Sequence, residues 1–168
     1  YIYITRGLMA YLDSEAELAG VLGHEIGHVT ARHGAQQATR QVGAGVGVGL
    51  ATLGGALLEM ATGVPGIAQA AGGVAQVGAA GLVASYSRDQ ELQADQLGAE
   101  YLVRTQYDPA NMVEVIQVLK NQERYAADAA KAAGRAAPSA PGWLASHPSN
   151  DQRLQQIRSS AQRLGYKP

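Results

Sequence analysis

Residues 21–33 read VLGHEIGHVTARH, and the fold and chemistry of the whole chain turn on how that stretch is understood. It holds three of the four histidines, and His24 and His28 bracket Glu25 in the pattern H-E-x-x-H. A helix advances about 100° per residue, so the two imidazoles sit about 40° apart and one turn removed, within reach of one ion. Glu25 projects beside them, placed to contact a water on that ion rather than the ion itself. Alone, the pattern leaves a second reading open, a solvated helix face that happens to carry two histidines. His33 falls about 180° around the same helix from His24 and is read as a non-ligand.

The flanks support a helix. Ser14-Glu15-Ala16-Glu17 has the S-x-x-E form of a capping box, and Leu18, Val21, Leu22, Ile26 and Val29 follow at helical spacing. These signals predict a helix from about Glu15 to about Arg40. Gly20, Gly23 and Gly27 each cost it up to about 1 kcal/mol of propensity. Three glycines around one motif imply that another backbone packs closely there.

A catalytic metal needs a third protein ligand, and the stretch SRDQELQADQLGAEYL offers Glu91. Ser87 to Gln90 forms a second capping box, opening a helix to about Thr105. Asp95 lies four residues beyond Glu91, on the same face. Such a pair supplies one carboxylate to the metal and a second to an imidazole N–H, fixing its tautomer and raising its basicity. An ordinary exposed helix face would be the better reading of Glu91 and Asp95 without the first motif. The two motifs together outweigh it.

Composition narrows the class. A chain of 168 residues is most simply one domain, able to bury roughly 70% of its unfolded surface. With no cysteine it has no disulfide, and its redox compartment stays open. Thirteen basic and fourteen acidic residues leave a net charge of −1. That lacks the basic footprint of nucleic-acid binding, and no nucleic acid partner is expected. The absence of Phe and the abundance of Gly and Ala predict a core of close backbone approach filled by Leu, Val and Ile. The chain opens on YIYITRG without an initiator Met, as a fragment or mature form would.

Tyr1 to Ile4 is β-prone and predicts a short strand, the last of a small sheet begun upstream. Asp108-Pro109 predicts a helix N-cap with proline at the first helical position. Met112, Val115, Ile116 and Leu119 then form a core stripe. Ser149 to Gln152 predicts the start of a C-terminal helix carrying Leu154, Ile157 and Leu164. Residues 126–141, AADAAKAAGRAAPSAP, are low-complexity and predict a loop or a frayed helix end. Val42 to Ala84 is rich in Gly and Ala. Its first seventeen residues are uncharged, at the lower edge of a membrane span. The favoured expectation is helices or a lid near the cleft, broken near Glu59 and Pro65.

GHEIGHVTARH followed by SRDQELQAD resembles the HtpX-like and CAAX-prenyl-protease-like zinc peptidases, which are gluzincins. The likeness extends to YIYITRGLMAYLDSEAELAGVLGHEIGHV and to the tail SHPSNDQRL, and covers 42–84 and 126–141 poorly. It implies a mainly α fold of the α+β zincin type, with a small N-terminal β remnant along the His24–His28 helix. Residues 1–168 would form one catalytic domain. The resemblance implies that His24, His28 and Glu91 hold one catalytic Zn²⁺, with Glu25 as general base and Asp95 as the supporting carboxylate. His147, in SHP, matches the family pattern too. It would either stabilise the oxyanion or take the fourth coordination position and hold the enzyme latent. Arg153 is a weaker candidate for oxyanion or structural support. The implied partners are protein or peptide substrates in the bacterial periplasm or at its membrane, with membrane or envelope-protein contact through 42–84. Two alternatives stay open: a latent zinc-bound protein that mainly binds clients, and the catalytic part of a membrane-embedded peptidase.

Overall fold

The structure is a computed structural model that describes residues 1–83, 85–136, 146–147 and 151–165. Among them the helices are α1 Arg6–Met9, α2 Glu15–Thr30, α3 His33–Thr62, α4 Ile67–Val83, α5 Arg88–Arg104, α6 Asn111–Ala132 and α7 Asp151–Leu164. The fold is mainly α, as expected. No described residue is in a strand, so the small N-terminal β remnant is a correction. Tyr1 and Tyr3 face solvent. β-prone residues form a strand only where a neighbouring segment completes the hydrogen-bond ladder, and none of the described residues is placed to do so.

The chain divides into two compact units, Tyr1–His33 with Tyr86–Pro168, and Gly34–Ser85. In the first, α2 packs along α5, α5 and α6 pack on α7, and α6 packs on α2. Ala99, Leu102, Met112, Val113, Ile116, Leu154 and Ile157 form one buried cluster. Leu8, Val21, Val115 and Leu119 form a second. The expected stripe on α6 therefore divides between the two.

The glycines of α2 let it meet α5 backbone to backbone. A Cβ on Gly23 would lie 3.2 Å from the Gly98 carbonyl oxygen, and one on Gly27 would lie 2.7 Å from that of Ala94. Gly20 admits Met112, whose Cγ would stand 3.3 Å from the added carbon. Gly27→Ala is therefore expected to destabilise the protein by about 1–3 kcal/mol, although alanine is the better helix former. Gly45→Ala in α3, where an added Cβ meets open space, should be neutral or stabilising. Denaturant midpoints check the pair; equal shifts would mean that α2 and α5 have room between them.

Several helix ends differ from the sequence expectation. Ser14 Oγ accepts from Glu17 N at 3.1 Å, but the Glu17 carboxylate returns to Asp13 N at 2.7 Å instead of to Ser14. The helix expected to continue to Arg40 stops at Thr30. Its Thr30 hydroxyl donates back to the Ile26 and Gly27 carbonyls at 3.0 and 3.2 Å, a contact that bends helices. Arg32 then takes φ +58°, a left-handed conformation that costs a non-glycine residue about 1–2 kcal/mol. At Asp108 the carboxylate caps its own turn, accepting from Ala110 N at 2.8 Å, so α6 starts later, at Asn111. Residues 126–132 are helical, as the end of α6. Ser149 and residues 137–141 lie outside the described residues.

In the second unit, α3 and α4 meet near their connection. A Cβ on Gly55 would lie 2.7 Å from the Ala68 Cα. Gly63 and Gly66, at φ +69° and +90°, make the turn, and Glu59 Oε2 accepts from Ala68 N at 3.3 Å. The expected break near Glu59 and Pro65 is thus a turn between two helices. Val42, Val46, Leu50, Leu53 and Leu57 recur at helical spacing along α3 and are each more than half exposed. By length and composition α3 is apolar enough to cross a membrane.

Candidate metal centre

His24 and His28 project from adjacent turns of α2, Glu91 comes from the first turn of α5, and all three are buried. The capping box that starts α5 is complete, with Ser87 Oγ accepting from Gln90 N and Gln90 Oε1 accepting from Ser87 N. It fixes where Glu91 leaves the helix. The close contact of α2 with α5 then brings the carboxylate to the imidazoles, and His147 arrives from beyond α6. The four residues offer ligand atoms all within 4.8 Å of one another.

The spacings are those of a small coordination shell. His24 Nε2 lies 3.0 Å from His28 Nε2 and 3.2 Å from His147 Nδ1. Glu91 Oε1 lies 3.2 Å from His28 Nε2 and 3.0 Å from His147 Nδ1. A tetrahedral ion with nitrogen ligands at about 2.0–2.1 Å has ligand–ligand edges of about 3.3 Å.

Charge and tautomer point the same way. Burial alone would raise the Asp95 carboxyl, but Arg153 and His24 outweigh it and hold the group below the ordinary carboxylate range. Arg153 makes a two-pronged contact, Nε to Asp95 Oδ2 at 2.7 Å and Nη2 to Oδ1 at 2.8 Å. An ionised Asp95 can only accept, so His24 donates through Nδ1 at 2.8 Å. Burial lowers the His24 pKa, outweighing the nearby carboxylates, and the neutral ring leaves Nε2 with a bare lone pair. Glu91 is also held low, its burial outweighed by His147, His28 and the Arg153 charge. Its Oε2 is 2.5 Å from Arg153 Nη1 yet has no hydrogen bond of acceptable geometry. Acceptors converge here, and a cation fits where they meet.

Glu25 stands at the edge of this group. Its side chain is 24% exposed, and Oε1 lies 3.4 Å from His147 Nε2. Arg153 is fully buried, and its guanidinium faces Asp95, Glu91 and the His147 carbonyl. The structure thus places every sequence-predicted site residue in one neighbourhood.

Two neighbours escaped the sequence reading. The break at Arg32 voids the wheel that set His33 opposite His24. His33 is wholly buried, with its Nδ1 2.9 Å from His28 Nδ1. Tyr86 stacks on His28 with ring centroids 4.0 Å apart. Its N–H donates to the Ser146 carbonyl at 3.1 Å, holding the backbone next to His147. Burial raises the Tyr86 hydroxyl pKa, and Glu25 and Glu91 add to the shift. An aromatic residue directly before the α5 capping box was the available signal.

Comparison with known proteins gives a consistent result. The model of peptidase family M48 matches residues 1–161. A beta-barrel assembly-enhancing protease of Yersinia pestis is 34% identical over 97% of this chain and 31% of its own length. The protein of that name from Escherichia coli is 31% identical over the same shares. A mitochondrial metalloendopeptidase of Arabidopsis thaliana is 32% identical over 64% of this chain and 19% of its own. The chain therefore spans under a third of the length of these curated relatives. No solved structure matches significantly.

Proposed function

The chain belongs to peptidase family M48, and from that premise we propose that it is the catalytic part of a zinc metalloendopeptidase. The observation that carries the proposal is the convergence of His24 Nε2, His28 Nε2 and the Glu91 carboxylate with Glu25 alongside. His24, His28 and Glu91 would hold the ion. When bound, zinc supplies Lewis acidity to the scissile carbonyl and to the water that attacks it. Glu25 would take the proton from that water and pass it to the leaving amine. Asp95 holds His24 in the tautomer with a bare Nε2, and Arg153 holds Asp95 ionised.

His147 stands between the converging ligands and Glu25. Its Nδ1 stands near His24 and Glu91, and its Nε2 near Glu25. This favours the latch over the oxyanion role for the arrangement described, with His147 as a fourth ligand that must withdraw before a peptide binds. The latent, client-binding alternative is a protein in which it does not withdraw.

Similarity to beta-barrel assembly-enhancing proteases supports protein substrates in the bacterial envelope, in the periplasm or at the membrane. The exposed apolar stripe of α3 is the surface we assign to membrane or envelope-protein contact.

Metal analysis with casein cleavage tests the proposal. One zinc per chain is expected, with cleavage abolished by a chelator and restored by zinc. A chain without zinc, or cleavage indifferent to chelation, would sink it. His147→Ala should raise cleavage if the residue is a latch; a fall would assign it to the oxyanion.

A further inference from the structure

His33 has no part in the reaction above, yet it is buried completely between a metal-ligand candidate on α2 and a side chain of α5. Its Nδ1 lies 2.9 Å from His28 Nδ1, and its Nε2 lies 3.0 Å from Gln93 Oε1. Each of these contacts needs one proton, and the order of donors and acceptors follows from the ends. The Gln93 carbonyl can only accept, so His33 carries its proton on Nε2. His33 Nδ1 is then bare and accepts from His28 Nδ1–H. His28 is left with a bare Nε2, the atom that faces His24 and Glu91. Run the other way, the chain would place a proton on His28 Nε2 and bar that atom from a metal.

We infer that His33, backed by Gln93, is the positioning residue that fixes the metal-binding tautomer and ring orientation of His28. The inference rests on the proposed reading of His28 as a metal ligand and adds what makes it one. The two imidazoles are thereby held differently. His24 is backed by an ionised carboxylate, which makes it the more basic ligand. His28 is backed by a neutral imidazole and an amide, which orient it without adding charge. The backbone supports this arrangement at a cost: the left-handed Arg32 ends α2 and turns the chain so that His33 enters the interior.

The test is zinc affinity by chelator competition, with histidine nitrogen NMR on the zinc-loaded protein. His33→Leu removes the acceptor and should weaken zinc binding by roughly 10–100-fold. His33→Asn places an amide oxygen near the lost Nδ1 and should recover most of that loss. Gln93→Leu, at an exposed position, should fold normally and show a smaller loss in the same direction. The wild-type spectrum should show His33 protonated at Nε2 and His28 at Nδ1. Equal losses in His33→Leu and His33→Asn would make the effect one of packing and overturn the inference, as would wild-type affinity in His33→Leu. A proton on His28 Nε2 in the loaded protein would overturn it as well. Failure of the wild type to take up zinc overturns the metal reading first and is seen before any variant is made.

Discussion

Glu25→Gln is expected to keep its zinc and to lose casein cleavage by roughly 10²–10⁴-fold. The substitution preserves size and shape while removing the ability to accept a proton. Glu25 lies outside the group of four converging ligands, so metal content should match the wild type. Its side chain is partly open to solvent, with its carboxylate 3.4 Å from His147 Nε2, where an incoming water could reach it. Cleavage undiminished by the substitution would remove Glu25 as the base. Joint loss of zinc and cleavage would make it a structural support of the site instead.

Arg153→Leu should have the largest effect on folding, a loss of about 3–5 kcal/mol in the zinc-free protein. The guanidinium is completely buried and is the cation facing two buried carboxylates, Asp95 and Glu91. Removing it leaves both charges with only imidazole contacts in a poorly solvating interior. Arg153→Lys should recover only part of the loss, because an ammonium cannot reproduce the two-pronged contact with Asp95. Adding Asp95→Asn to Arg153→Leu should also recover part, since one stranded charge is then gone. Denaturant unfolding checks all three. A loss under about 1 kcal/mol for Arg153→Leu, in the range of an exposed pair, would mean that water reaches these carboxylates.

What could be read from the residues was whatever is local in the chain. His24, Glu25 and His28 lie within five consecutive positions, and Glu91 and Asp95 within another five, so helical geometry alone aligns each set. The glycines of α2 announced a close backbone neighbour but not that it would be α5. His33 was misplaced because a wheel assumes continuity, and one positive φ at Arg32 redirects everything after it. The extended run at Tyr1 to Ile4 has the right side chains for a strand, but pairing is a property of two segments. Tyr86 offered only its place directly before a capping box. Its importance comes from stacking on His28, fifty-eight positions away in the sequence.

The contact between α2 and α5 bears on how far the rest of the molecule can vary. At Gly23, Gly27, Ala94 and Gly98 the two main chains touch with no side chain between them. The separation of the backbones that carry the imidazoles and Glu91 is consequently set by atomic radii and peptide geometry. Side-chain hops elsewhere in the core, and substitutions that repack it, leave that gauge unchanged. A chain built this way can drift in its outer surfaces, and so in what it recognises, while the spacing of the two main chains that carry its ligands stays calibrated.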